Sequence, residues 1–228
     1  MAQPAAVKPP TGTPIAPATG PRKAGSWLWE WTKSIGVALV VWFFLRTFLL
    51  EAFRIPSGSM ENTLLVGDFL FVNKLEYGPK IPFTHLRLPG LRAPQRGDVI
   101  VFQWPEDPSK DFIKRCIATG GQTLEVRHKE VFVDGEKLSE PYVKHDSWTE
   151  EPGGYTPRDN FSPPTVAPGE LFMMGDNRDN SNDSRFWGTV PMDYVKGRAL
   201  FIYFSTAGQN WWDGLFHVRF GRLFKGIR

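Results

Sequence analysis

One long apolar run, followed by a chain that never repeats it, constrains this sequence more than any other feature. Ile35–Leu50 (IGVALVVWFFLRTFLL) is apolar apart from Gly36, Arg46 and Thr47. Sixteen residues of helix rise about 24 Å, a little short of a hydrocarbon core roughly 30 Å thick. Trp27, Trp29 and Trp31 stand on the inner flank, where indole rings favour the membrane interface. Arg46 lies near the outer end, close enough for its stem to carry the charge toward headgroups. By length alone a buried helix of a soluble domain competes, but the tryptophan flank and a basic leader favour a transmembrane anchor. A cleaved secretory signal would need a short basic leader and a small-x-small site just after the run. The leader exceeds 25 residues, and Glu51-Ala52-Phe53-Arg54 follows. The expectation is a disordered basic cytoplasmic tail over 1–25, an uncleaved anchor over 26–50 and an extracytoplasmic domain over 51–228.

Charge supports that orientation. The formal net charge is +3, and Lys8, Arg22 and Lys23 stand in a leader with no acid before Glu30. Beyond them 24 basic residues balance 24 acidic ones, so the body is neutral. A neutral body disfavours nucleic-acid binding, and a basic tail is a cytoplasmic retention signal. A mean hydropathy of -0.29 excludes a multi-span transporter. The single cysteine, Cys116, excludes an intrachain disulfide framework and an all-cysteine metal site.

After the anchor, helical periodicity nearly vanishes. Short β-like runs recur at Phe69–Asn73, Asp98–Gln103, Phe112–Ala118, Thr123–Arg127, Glu130–Val133, Glu170–Met174 and Arg198–Phe204. Turn signals separate them, among them Gly67-Asp68 and Asp134-Gly135, the latter closing a hairpin after Val131-Phe132-Val133. The fold class is therefore mostly β, an antiparallel sheet domain with extended hairpin and loop insertions at about 78–94 and 140–168.

No G-x-S-x-G elbow, H-E-x-x-H or Walker loop occurs, and His85, His128, His145 and His217 share no ligand spacing and read as surface residues. Nothing calls for a metal or cofactor. Three segments stand out. In Ile55-Pro56-Ser57-Gly58-Ser59-Met60, Pro56 and Gly58 give a tight turn holding Ser59 clear of the sheet, although a plain linker leaving the membrane is the bland alternative. In a strand over 112–118, Phe112, Lys114, Cys116 and Ala118 share one face. A lysine on an apolar face is costly unless neutral, and an edge strand with its amine in water is the alternative. The third segment, Met174-Gly175-Asp176-Asn177-Arg178-Asp179-Asn180-Ser181-Asn182-Asp183-Ser184-Arg185, is too polar for a core and too rich in paired charges for an ordinary loop.

Together P-S-G-S-M, R-G-D-V-I-V-F, I-K-R and G-D-N-R-D-N-S-x-D-S-R-x-W-G resemble the bacterial type I signal peptidases, membrane-bound serine proteases, over nearly all the chain beyond residue 34. The resemblance implies Ser59 as nucleophile and Lys114 as its general base. It implies that Ser57 adds a hydroxyl to the oxyanion hole and that Ser181 orients the lysine amine. Asp183 with Arg185, and Arg115 with Asp176, would be supporting ion pairs. The implied substrates are preprotein signal peptides cut after small-x-small (Ala-x-Ala) motifs at the outer face of the bacterial inner membrane. Membrane lipid would be a second partner, and Trp211-Trp212 with Phe216, Phe220 and Phe224 would suit headgroups or the core equally. Ile55, Leu64, Ile100 and Ile113 are expected, from proximity, to wall two shallow apolar pockets. Gly120-Gly121 departs from the family's usual Gly-Asp, which implies a local loop change. Two alternatives stay open: a same-dyad protease dedicated to one secreted or conjugative substrate, and a non-enzymatic anchored β-domain binding exported chains.

Overall fold

The computed structural model describes residues 24–81, 84, 86–147, 149, 156–163, 165–208, 214, 216 and 217–228. The expected tail (1–23), His85 and Trp211-Trp212 lie outside them. The chain divides into two compact units, Met1–Trp42 and Phe43–Arg228.

In the first unit the principal element is helix α1 (Ala24–Phe44), which runs into the second and is followed by a wider, π-type turn over Leu45–Leu49. The stretch Trp29–Leu49 is 21 residues long with mean hydropathy 1.5, long and apolar enough to cross a membrane, and none of it is buried. Counted from Trp29, the apolar stretch is longer than the Ile35–Leu50 run because the indoles belong to it. At 1.5 Å per residue it covers roughly 30 Å, the thickness of the hydrocarbon core.

The second unit is built on an antiparallel sheet. Its strands are β1 (Leu50–Arg54), β2 (Asp68–Asn73), β3 (Val99–Trp104), β4 (Asp107–Thr119), β8 (Glu170–Met174), β9 (Val190–Pro191), β10 (Val195–Ser205) and β11 (Lys225–Gly226). Their spatial order is β1-β2-β10-β3-β4-β8-β9, with β11 on β10. A second sheet joins β5 (Leu124–Arg127), β6 (Glu130–Val133) and β7 (Glu136–Lys137). The runs read from the sequence all appear, within three residues at each end except that β4 begins at Asp107. Strand β1 was not anticipated, because Leu-Glu-Ala-Phe-Arg abuts the apolar run and carries no turn signal of its own. The hairpin between β6 and β7 turns at Asp134 (φ 53°) and Gly135 (φ 82°), two left-handed residues as a tight primed turn requires.

Three apolar clusters hold the domain. Val99, Val101, Leu70, Val72, Ala199 and Ile202 pack on one face with Met60 and Leu64 from the turn between β1 and β2. Ile100, Phe102, Cys116, Met173 and Val195 form the second, and the small sheet packs its own side chains on Phe172 and Met174. A bulge between Cys116 and Ala118 breaks the alternation of β4. Ala118 therefore joins Ile117 under the small sheet and does not share the face of Phe112, Lys114 and Cys116. Gly121 has φ 91°, a left-handed conformation in which an aspartate would be strained.

Candidate active site

The turn carrying Ser59 links β1 to β2. The ladder of that pair continues outward through Ile55 N–H to the Asp68 carbonyl (2.8 Å) and Gly67 N–H to the Ile55 carbonyl (3.0 Å). Gly58–Met60 then make one 3₁₀ turn, preceded by Ser57 in extended conformation. The buried Met60 side chain anchors the turn in the core, leaving Ser59 half-buried at its surface. Backbone N–H groups in a first helical turn have no intrahelical partner, so the Ser59 amide is available as a donor. The loop after β8 braces the turn from below. Asn177 N–H donates to the Ser59 carbonyl (3.1 Å) and its side-chain amide to the Gly58 carbonyl (3.1 Å).

Lys114 Nζ lies 2.6 Å from Ser59 Oγ. Strand β8 pairs with β4 only from Arg115 to Thr119, so Asp107–Lys114 has no strand partner on that side. Lys114 nevertheless has only 3 % of its surface exposed, because the Ser59 turn and the Gly175–Arg185 loop cover it. Thus it stands on an edge and is dry at once. Burial lowers its pKa to about 8, against the opposing attraction of Asp183, with Arg185 assisting. An amine of that pKa is neutral in about one molecule in ten at pH 7 and in half of them near pH 8, and the neutral form is the one that can act as base for a serine hydroxyl.

Both expected ion pairs are brought together. Arg115 is bidentate on Asp176, Nε to Oδ1 at 2.8 Å and Nη2 to Oδ2 at 2.7 Å, with Nη1 on the Gly97 carbonyl at 2.8 Å. Its guanidinium carbon sits 3.8 Å from the Tyr142 ring centroid. Arg185 is bidentate on Asp183 (2.8 and 2.9 Å) and donates to the carbonyls of Arg178 and Arg158. Asp183 also accepts the Gly175 amide, and its guanidinium partner holds its carboxyl below the usual range despite burial. Ser181 is buried beside Gly175, and its hydroxyl makes no hydrogen bond among the described residues, to Lys114 or to any other group. Ser57 is exposed and lines the groove.

That groove holds about 600 Å³ and is lined by Ser57, Ser59, Phe112, Ile113, Lys114 and Asn177, among others. Of the expected pocket walls, Ile113 lines the groove, and Ile55 joins Phe53, Val101 and Ile113 around a cavity of about 30 Å³ beside it. Leu64 and Ile100 do not. Each is wholly buried in an apolar cluster, Leu64 beneath the turn and Ile100 among Phe102, Cys116 and Val195. His145 is not a surface residue either: its side chain is 3 % exposed and lies 3.3 Å from Asp179. His128 and His217 are exposed. Asn177, Tyr142 and the Glu61–Lys144 pair were not singled out beforehand. Asn177 lies inside the polar run Met174–Arg185, whereas Glu61 and Lys144 stand 83 residues apart and Tyr142 meets Arg115 from a separate segment, so neither contact left a local signal. Among the described residues no three of His, Cys, Asp or Glu are grouped to hold a metal ion.

Residues 28–204 match the family model described as signal peptidase, peptidase S26. This chain belongs to that family. It is 38 % identical over 205 residues to the signal peptidase I of Pseudomonas aeruginosa, covering 77 % of this chain and 72 % of that one. It is 40 % identical over 190 residues to the probable signal peptidase I-1 of Synechocystis, covering 78 % and 86 %. The signal peptidase I of Aquifex aeolicus is 36 % identical over 214 residues, covering 71 % and 78 %. The protein is a serine endopeptidase of the signal peptidase type, built on a mostly antiparallel β domain.

Proposed function

We propose that Ser59 is the nucleophile and neutral Lys114 the general base of an endopeptidase that removes signal peptides after small-x-small motifs. The 2.6 Å contact of a buried, pKa-lowered amine with a half-exposed hydroxyl carries this reading. Lys114 Nζ takes the hydroxyl proton as Oγ attacks the carbonyl carbon. The resulting oxyanion meets the Ser59 amide and the Ser57 hydroxyl. The Lys114 ammonium then protonates the leaving amide nitrogen, the C–N bond breaks, and the mature chain departs with a free amino terminus. Water, deprotonated by the same amine, hydrolyses the acyl-enzyme and returns Ser59.

The unpaired edge of β4 suits an extended substrate adding as a strand, with alternate side chains pointing into the domain. A cavity of about 30 Å³ between Phe53, Ile55, Val101 and Ile113 accommodates a methyl group and little more, which supports a requirement for small residues. The apolar stretch Trp29–Leu49 supports a single-pass membrane anchor, with the basic leader cytoplasmic and the β domain outside. Phe216, Phe220 and Phe224 are at least 75 % exposed, and with Lys225 they suit a headgroup region as the second partner, whereas Arg222 is committed to Asp68.

Cleavage of a preprotein ending its leader in Ala-x-Ala tests the reading. Ser59→Ala and Lys114→Met should each abolish product formation, and substantial turnover by either would overturn the assignment. Depletion in cells separates a general peptidase from one dedicated to a single exported substrate, since the first leaves many precursors uncleaved.

A further inference from the structure

The segment Tyr142–Asp146, inside a stretch that reads as a loop excursion, is stapled to the catalytic turn. Lys144 N–H donates to the Asp176 carbonyl (2.8 Å) and Arg178 N–H to the Lys144 carbonyl (3.0 Å), fixing Lys144 beside Asn177. From the other side, Asn62 takes a left-handed φ of 84° and its side-chain amide donates to the Val143 carbonyl at 3.2 Å. Thus held, Lys144 Nζ reaches Glu61 Oε2 at 2.8 Å. Glu61 in turn folds back over the turn. A Cβ on Gly58 would lie only 2.8 Å from Glu61 Oε1. Bond geometry then puts this carboxylate no more than about 7 Å from the Ser59 amide nitrogen.

A carboxylate so close to the oxyanion donors opposes the charge that develops on attack. At that separation an uncompensated charge is still felt at the oxyanion site, even through solvent-like screening. Apart from Asp146, the neighbouring acids of the groove and its rim have cations of their own. Asp111 has Lys196, Asp176 has Arg115, Asp183 has Arg185, and Asp179 has Lys129. For Glu61 the cation is Lys144, which also stands 3.4 Å from Asp146.

We propose that Lys144 is a positioning residue for the reaction, acting through Glu61: its ammonium pins that carboxylate on Gly58 and cancels its field at the oxyanion site. This rests on Ser59 and Ser57 being the reacting turn. Glu61 covers Gly58, Lys144 neutralises the cover, and the attacking face of Ser59 stays open to the groove.

The test uses full-length enzyme and a preprotein substrate at low and high salt. Lys144→Met should lower kcat about 5- to 10-fold at roughly 20 mM salt with KM changed less than about 2-fold, because the loss falls on the transition state. Glu61→Gln should stay within about 2-fold of wild type, and Glu61→Gln with Lys144→Met should recover most of the lost rate. High salt should restore part of the rate to Lys144→Met and leave the double variant flat. A Glu61→Gln loss as large as that of Lys144→Met would show a structural staple and overturn the proposal, as would wild-type kcat in Lys144→Met. If Lys144→Met does not fold, Lys144→Gln, which also removes the charge, takes its place in the same comparisons. Activity in Ser59→Ala would instead remove the reading beneath, so the two failures are distinct.

Discussion

At the scale of single residues the proposed chemistry turns on Lys114. Its folded pKa of about 8 lies below the ordinary 10.5, so the unfolded chain binds the extra proton between those values. Stability therefore rises with pH across that window, and below about pH 8 the full penalty of the buried ammonium is present. Lys114→Met should be more stable than wild type by about 3 kcal/mol at pH 7, an advantage that fades toward pH 10.5 and is measurable by urea denaturation at both values. Activity should follow the same amine, with kcat/KM rising through an apparent pKa near 8. Lys114→Arg should be inactive at every pH, since guanidinium does not deprotonate in proteins. Ser57→Ala should lose on the order of 10²–10³ in kcat without reaching the Ser59→Ala baseline. Ser59 and Lys114 were picked out by the resemblance of their segments to a known family, since a linker turn and an edge-strand lysine fitted the local residues as well. It misled on Leu64 and Ile100 because nearness in the chain does not fix where a side chain points. Leu64 hangs below the turn, and Ile100 opposes Lys114 in register yet is roofed by its own cluster.

At the scale of elements, the site is held by the loop from Gly175 to Arg185 pressed against the Ser59 turn. Gly175 is where the two meet. An alanine Cβ there would lie 2.2 Å from Ser181 Oγ and 2.5 Å from the Ser59 carbonyl. Gly175→Ala should therefore cost on the order of 10² in kcat, because a displacement of about 1 Å spoils the geometry. Its melting temperature should fall as well, because the Ser59 carbonyl in the way is backbone. The buried Arg115–Asp176 pair behaves differently. Asp176→Asn strips the guanidinium of its counter-charge and should destabilise the domain by about 3–5 kcal/mol, read by denaturant titration. The strands were legible from alternation and turn residues. The unread parts were those set by tertiary contact, including β1 hidden behind the apolar run and the staple of Tyr142–Asp146 on Asn62, Asp176 and Arg178.

At the scale of the whole molecule, the apolar stretch Trp29–Leu49 and the groove beside Ser59 each support the proposal of a membrane-anchored protease. The orientation read from the basic leader has a direct check. Protease added outside spheroplasts should digest the β domain and spare the first residues, and the reverse pattern would invert the topology.

The proposed pair of Ser59 and Lys114 needs the amine at position 114 to lose its proton near pH 8. Carbon-13 NMR of the Lys114 Cε, assigned by comparison with Lys114→Met, reads that titration directly. A midpoint near 8 is expected in the folded enzyme, and a midpoint at or above about 10, the value of an ordinary solvated lysine, would remove Lys114 as the base.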